Sequence, residues 1–214
     1  MPLSAGLRRR IQQLLRAVDE HETKGPRLVD DGARLWSRVQ KFIAMGLVTA
    51  ESDLEALELA CYALELPQRQ AKPPTGGKLG RTNLKDRTEQ AAELLVSMMD
   101  DVDEALLDRA TRLLHEMPHR SPVPEEAKLL ADALNLEDFG IVGLLDQMIQ
   151  LARQGDGVLQ LADGTEKREQ YGYWEARLKD GFHFEAVRQI ASRRLDHARQ
   201  AAQMLLAELK EDQP

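Results

Sequence analysis

Residues 126–140 read EAKLLADALNLEDFG, and the fold of the whole chain turns on this stretch. Pro124 stands just before it, where a helix tolerates a missing N–H. Glu125 and Glu126 fall in the first turn, where the positive end of the helix dipole favours acids. Apolar residues then recur at helical spacing as far as Leu134. Downstream comes a long apolar stretch from Ile141 to Ala152. Upstream, Asp103 can cap a helix carrying Leu106, Ala110, Leu113, Leu114 and Met117. Pro118 stops that helix, because the residue before a proline avoids the α region.

The same period extends along the chain. Leu7, Ile11, Leu14, Leu15 and Val18 form a stripe near the N-terminus. A second helix runs from about Asp31 into Gly46, carrying Leu35, Val39, Phe42 and Ile43. Asp53 can cap a third through Leu54, Leu57, Ala60, Cys61 and Leu64, which Pro67 would end. Residues 67–82, PQRQAKPPTGGKLGRT, show no periodicity and predict a mobile loop. Helix resumes with Ala91, Leu94, Leu95, Met98 and Val102, and the last helix runs from about Glu185 to Lys210. Four glycines between 155 and 173 predict a loop, or at most a short hairpin near 157–166. The expectation is an all-α globule of eight or nine helices. It would be a single domain over 1–214, with its core in about 30–210 and residues 1–24 as an added N-terminal helix.

Composition narrows the function. The 214 residues are 43% apolar, 30% charged and 4% aromatic, values of a globular chain with an aliphatic core. A net charge of −7 argues against nucleic acid, which selects basic surfaces. Cys61 has no second cysteine to pair with, and it sits in an apolar run, as a small core residue in a cytoplasmic protein would. No stretch approaches the roughly 18 apolar residues of a membrane span.

Several segments resemble, in order, the HD-domain superfamily, whose active members are metal-dependent phosphohydrolases. Arg38-Val39 matches an Arg-Val pair that follows the family's first metal histidine by three residues. Leu59-Ala60-Cys61-Tyr62-Ala63-Leu64-Glu65-Leu66 matches the apolar helix that ends in His-Asp. Residues 126–140 are similar to the family's later EAKLLADADKLDDFG-like segment, and Arg193-Arg194-Leu195 to its last helix. The resemblance covers about 30–210 and implies a bacterial-type HD-like fold. The family's metal ligands, two His and two Asp, fall here on Leu35, Leu64, Glu65 and Leu134. Leucine has no lone pair to give a metal. All the polarity of the site has gone together, so the leucines can pack as core at about 1.5–3 kcal/mol each.

The resemblance therefore implies an inactive relative with no catalytic residue and no metal, serving as a ligand-binding or regulatory module. Its expected partner is a small phosphorylated ligand or a protein. The candidate ligand contacts are His115, His119 and Arg120, with Arg81, Lys85 and Arg87 of the most basic stretch. His115 matches a family position that often faces substrate. The alternative is an active phosphohydrolase acting on a nucleotide or other phosphate ester, with Mn, Fe, Ni or Zn on displaced ligands drawn from Glu65, Asp132, His115 and Glu137 or Asp138. His115-Glu116-Met117-Pro118-His119 spells H-E-x-x-H, but Pro118 breaks the helix a zincin needs and puts His119 beyond its end. GGKLGRT at 76–82 lacks the spacing of a phosphate loop. Tyr173, Trp174, Phe182 and Phe184 either line a pocket or seal a loop onto the core.

Overall fold

The computed structural model describes residues 1–16, 25–48, 52–70 and 83–211, except the side chains of 25–27, 69–70 and 153. Among the described residues there are eleven α-helices, one 3-10 turn and no strand, so the all-α expectation holds. None of these helices is long and apolar enough to cross a membrane. The described residues up to Ala133 pack as one compact unit, and those from Leu134 onward as another.

The first unit holds α1 (Ala5–Arg16), α2 (Gly25–Ala44), α3 (Leu54–Ala63), α4 (Leu66–Gln70), α5 (Leu84–Met98), α6 (Glu104–Glu116) and nearly all of α7 (Glu125–Asn135). Gly46, at φ 75°, closes α2 as its position suggested, its N–H donating to Ile43 at 2.9 Å. Asp53 caps α3 as expected, accepting the Ala56 N–H at 3.0 Å. Pro67 does not end α3. That helix stops at Ala63, and Pro67 lies in the first turn of α4, a place where proline is tolerated. The predicted loop thus starts later than residue 67, and 71–82 lie outside the described residues.

Helix α3 is the centre of this unit. It packs against α1, α2, α5 and α6, and every residue from Ala56 to Leu66 is buried. Gly32 of α2 lets α2 and α3 close. A Cβ there would stand 2.6 Å from the Tyr62 ring. Burial pushes the Tyr62 phenol above its usual pKa, although Gln12 of α1 donates to its oxygen at 3.2 Å.

The cost of so apolar a helix is that it also buries Glu58 completely. Arg8 of α1 forks onto that carboxylate, with Nη2 3.0 Å from Oε2, and the Leu3 N–H adds a bond of 2.9 Å. The hydrogen bond to Glu58 holds the Arg8 pKa above the usual guanidinium range.

The second unit holds the 3-10 turn Leu136–Asp138, then α8 (Ile141–Arg153), α9 (Val158–Gln170), α10 (Tyr173–Asp180) and α11 (Glu185–Glu211). The hairpin or loop expected near 157–166 is instead α9. Val158, Leu161, Ala162 and Thr165 carry a helical spacing that the flanking glycines obscured, and the Gln160 side chain accepts the Gly157 N–H at 2.9 Å to start the helix.

Two outcomes test these anchors. Arg8→Ala leaves Glu58 buried without its cation and should cost about 2–3 kcal/mol in urea denaturation, below a fully buried pair because Arg8 is partly exposed. The Asp53 carboxyl is pulled up by desolvation, but the Ala56 N–H and Arg109 outweigh this and leave its pKa lowered. Its contribution is therefore complete above an unfolded pKa of about 3.9 and is lost as pH falls through the lower folded value. Asp53→Ala should cost about 1–2 kcal/mol at neutral pH, and its stability gap to the wild type should shrink below about pH 4.

Candidate functional site

Leu35 lies one turn after Gly32 on α2, and Leu64 is the residue that closes α3. Neither has any solvent exposure. Leu134, on the last turn of α7, is buried as well. At these positions no side-chain atom can donate to a cation.

Glu65 is the polar residue of the set, at 2% exposure. Its Oε1 accepts Arg87 Nη2 at 2.9 Å, and its Oε2 accepts Gln68 Nε2 at 3.2 Å. Arg87 Nε also donates to the Leu64 carbonyl at 3.0 Å. One guanidinium therefore grips both Leu64 and Glu65. The sequence contains the signal for this pairing, a glutamate in an otherwise apolar run, but does not say which cation answers it.

The first turn of α5 aims Arg87. Asn83 caps that helix, accepting the Lys85 N–H at 3.2 Å, and Thr88 packs fully buried with its hydroxyl donating to the Lys85 carbonyl at 3.0 Å. Lys85 itself is exposed and lies 3.7 Å from Glu89. So the two described candidates from the basic stretch part ways, Arg87 inward and Lys85 outward. Arg81 lies outside the described residues.

Nearby polarity is also structural. Arg38, nearly buried, donates to the Ala133 carbonyl at 2.6 Å and so ties α2 to α7. Asp53 N–H meets Glu126 Oε1 at 3.3 Å and ties α3 to the same helix. Asp132 has no exposure at all.

The other candidates collect where α6 ends. His115 is in its last turn, and His119 lies beyond the end, as Pro118 required. Both are exposed, as is Arg120. Glu116 is not poised as a base between the histidines. Its Oε2 accepts the Val123 N–H at 3.3 Å and lies 3.5 Å from His119 Nδ1. The Val123 bond, more than His119, lowers its pKa. H-E-x-x-H here is a turn clasp. Among the described residues, no group of three or more His, Cys, Asp or Glu side chains is placed to hold a metal ion.

The second unit gathers the aromatic residues. Phe139 meets Trp174 and Phe182 edge-on, each at 5.2 Å, so part of this set seals the unit, one of the two roles anticipated. Arg177 holds them in place. It pairs with Asp138 at 3.1 Å, donates to Asn135 Oδ1 at 3.1 Å and to the Tyr173 hydroxyl at 2.8 Å, and stacks over Phe139. Trp174 also fills the other role, lining a shallow cleft with Leu144, Thr165, Arg168 and Arg199. Glu169 first, and Glu175 with it, raise the Arg199 pKa, so that guanidinium is committed to carboxylates of its own unit.

No protein-family profile matches the chain, and no curated protein matches it by sequence. Two crystal structures resemble it over nearly its full length. Bacillus subtilis YpgQ in complex with ADP superposes with a TM-score of 0.58 at 19% identity, covering 98% of this chain and 94% of that one. Selenomethionine YpgQ from the same organism gives 0.59 at 18% identity, covering 98% and 97%. The chain therefore has the fold of those structures.

Replacing Arg87 tests the role of the grip. Arg87→Met strands a buried carboxylate and should cost about 3–5 kcal/mol. Adding Glu65→Leu to it should recover most of that loss, because an apolar pair of similar volume needs no counter-charge. Urea unfolding of both variants reads the two values.

Proposed function

We propose that this chain is a degenerate HD-superfamily protein that binds a nucleotide-like phosphorylated ligand and has no metal-dependent hydrolysis of its own. The observation that carries the reading is the pair Glu65–Arg87, at 2.9 Å. Where the family sets a His-Asp pair against a metal, this chain sets Leu-Glu against a built-in guanidinium. The charge that a divalent ion would supply to the carboxylate comes from α5 instead. Leu35 and Leu134 are in keeping with this, since both have traded a donor for a buried aliphatic group. A metal would have to displace Arg87 and then coordinate a single carboxylate, which gives too few donors for useful affinity.

Support for the ligand class comes from the fold neighbour that was crystallised with ADP. Among the described residues, the sequence candidates that are exposed and suited to a phosphate are His115, His119, Arg120 and Lys85. Arg87 belongs to the core pair and not to the ligand. Binding without turnover is the property of a sensor or regulatory module.

The reading is tested by three measurements on the purified, untagged chain. ADP should raise the melting temperature, by about 5–10 °C at 100 times Kd for a chain of this size. Elemental analysis after incubation with Mn or Ni should find far less than one metal per chain. Incubation with ADP and other phosphate esters should release no phosphate. Stoichiometric metal together with hydrolysis would sink the proposal in favour of displaced ligands. No thermal response to any phosphorylated compound would remove the ligand half of it.

A further inference from the structure

Helix α8 packs against α9, α11 and the 3-10 turn of its own unit. Leu151 is buried there and Leu144 is half-buried. A different face of the helix is apolar and open. Ile141, Val142, Leu145 and Ile149 are 47%, 50%, 57% and 44% exposed. Among the described side chains of α8 the one charge is Asp146, which is half-buried. Just past the turn that follows, Val158 and Leu159 of α9 are 38% and 60% exposed. An amphipathic helix of a lone protein points its polar residues outward. This one does the reverse along three turns.

We infer that this face of α8 is a self-association surface, pairing with the same face of a second copy about a two-fold axis at Leu145. The spacing is symmetric about that residue. Ile141, Leu145 and Ile149 form a single i±4 ridge, the kind that interdigitates when two helices cross at roughly −50°. A two-fold axis at Leu145 sets Ile141 of each copy beside Ile149 of the other. An isologous contact must be self-complementary in this way. The chain carries −7, which sets two copies against each other in general and keeps their association weak; the ridge itself carries no charge to add to that repulsion. The area suffices for a weak dimer. The four α8 side chains expose roughly 350 Å² per copy, so a pair hides about 700 Å² through them alone, the size of a weak, transient contact.

Sedimentation equilibrium of the full chain between about 1 and 200 µM, the weak range such an area allows, should show a monomer–dimer equilibrium. Leu145→Glu should remove the dimer and leave far-UV circular dichroism unchanged, along with the melting temperature at dilutions where the wild type is monomeric, since the side chain is exposed in the monomer. Leu145→Cys should give a disulfide-linked dimer under mild oxidation, because the axis brings the two copies of that position together. Asp108→Cys, equally exposed on α6, should not. A wild type monomeric throughout the range overturns the inference. So does a dimer that survives Leu145→Glu, which would place the contact on another surface, or a Leu145→Cys chain that cross-links no faster than Asp108→Cys.

Discussion

A carboxylate buried in an apolar run must find a cation or be protonated, and the run formed by helix α3 and the turn that follows it imposes that demand twice. Glu58 and Glu65 stand seven residues apart in a run that is otherwise nearly all aliphatic. Each unpaired charge would cost several kcal/mol. Glu58 is answered by Arg8 of α1 and Glu65 by Arg87 of α5. The helices that supply these cations are thereby fixed to α3 in one register, which aliphatic contacts alone would leave looser. The N-terminal helix, readable as an addition to the core, is held through a fully buried carboxylate of its unit.

The Glu65–Arg87 pair also settles the polarity of the end of this run. Leu35, Leu64 and Leu134 are buried and aliphatic, and the buried acid beside Leu64 has a permanent counter-ion. An arginine guanidinium stays charged at any physiological pH, and its fork suits a carboxylate. It holds Glu65 and the Leu64 carbonyl at once. The result is a polar network that joins the start of α5 to the residues closing α3.

The second unit is organised on a different plan. Arg177 joins Asn135, Asp138 and Tyr173 and lies over Phe139, so one side chain links the turn after α7 to α10. Gly140, at φ 95°, and Gly143, where a Cβ would stand 2.4 Å from the Asp138 carbonyl oxygen, bring α8 tightly out of that turn. This tight exit sets the direction in which α8 presents its apolar ridge.

The sequence by itself determined the helical class, the caps at Asp53 and Pro124, the stops at Gly46 and Pro118, and the absence of donor atoms at Leu35, Leu64 and Leu134. These properties are local or belong to single side chains, and an i, i+3, i+4 pattern or a missing lone pair is visible within a few residues. It misread 157–166, where glycines hid a helix whose apolar side is narrow, and it took Pro67 for an end when it begins a new turn. Tertiary structure alone decided which arginine serves which glutamate, that Arg87 faces the core while Lys85 faces out, that Glu116 clasps a turn, and that α8 shows an apolar ridge to solvent. Arg8 and Glu58 are 50 residues apart and Arg87 and Glu65 are 22 apart. Such partners meet through the packing of whole helices, and no local period encodes that.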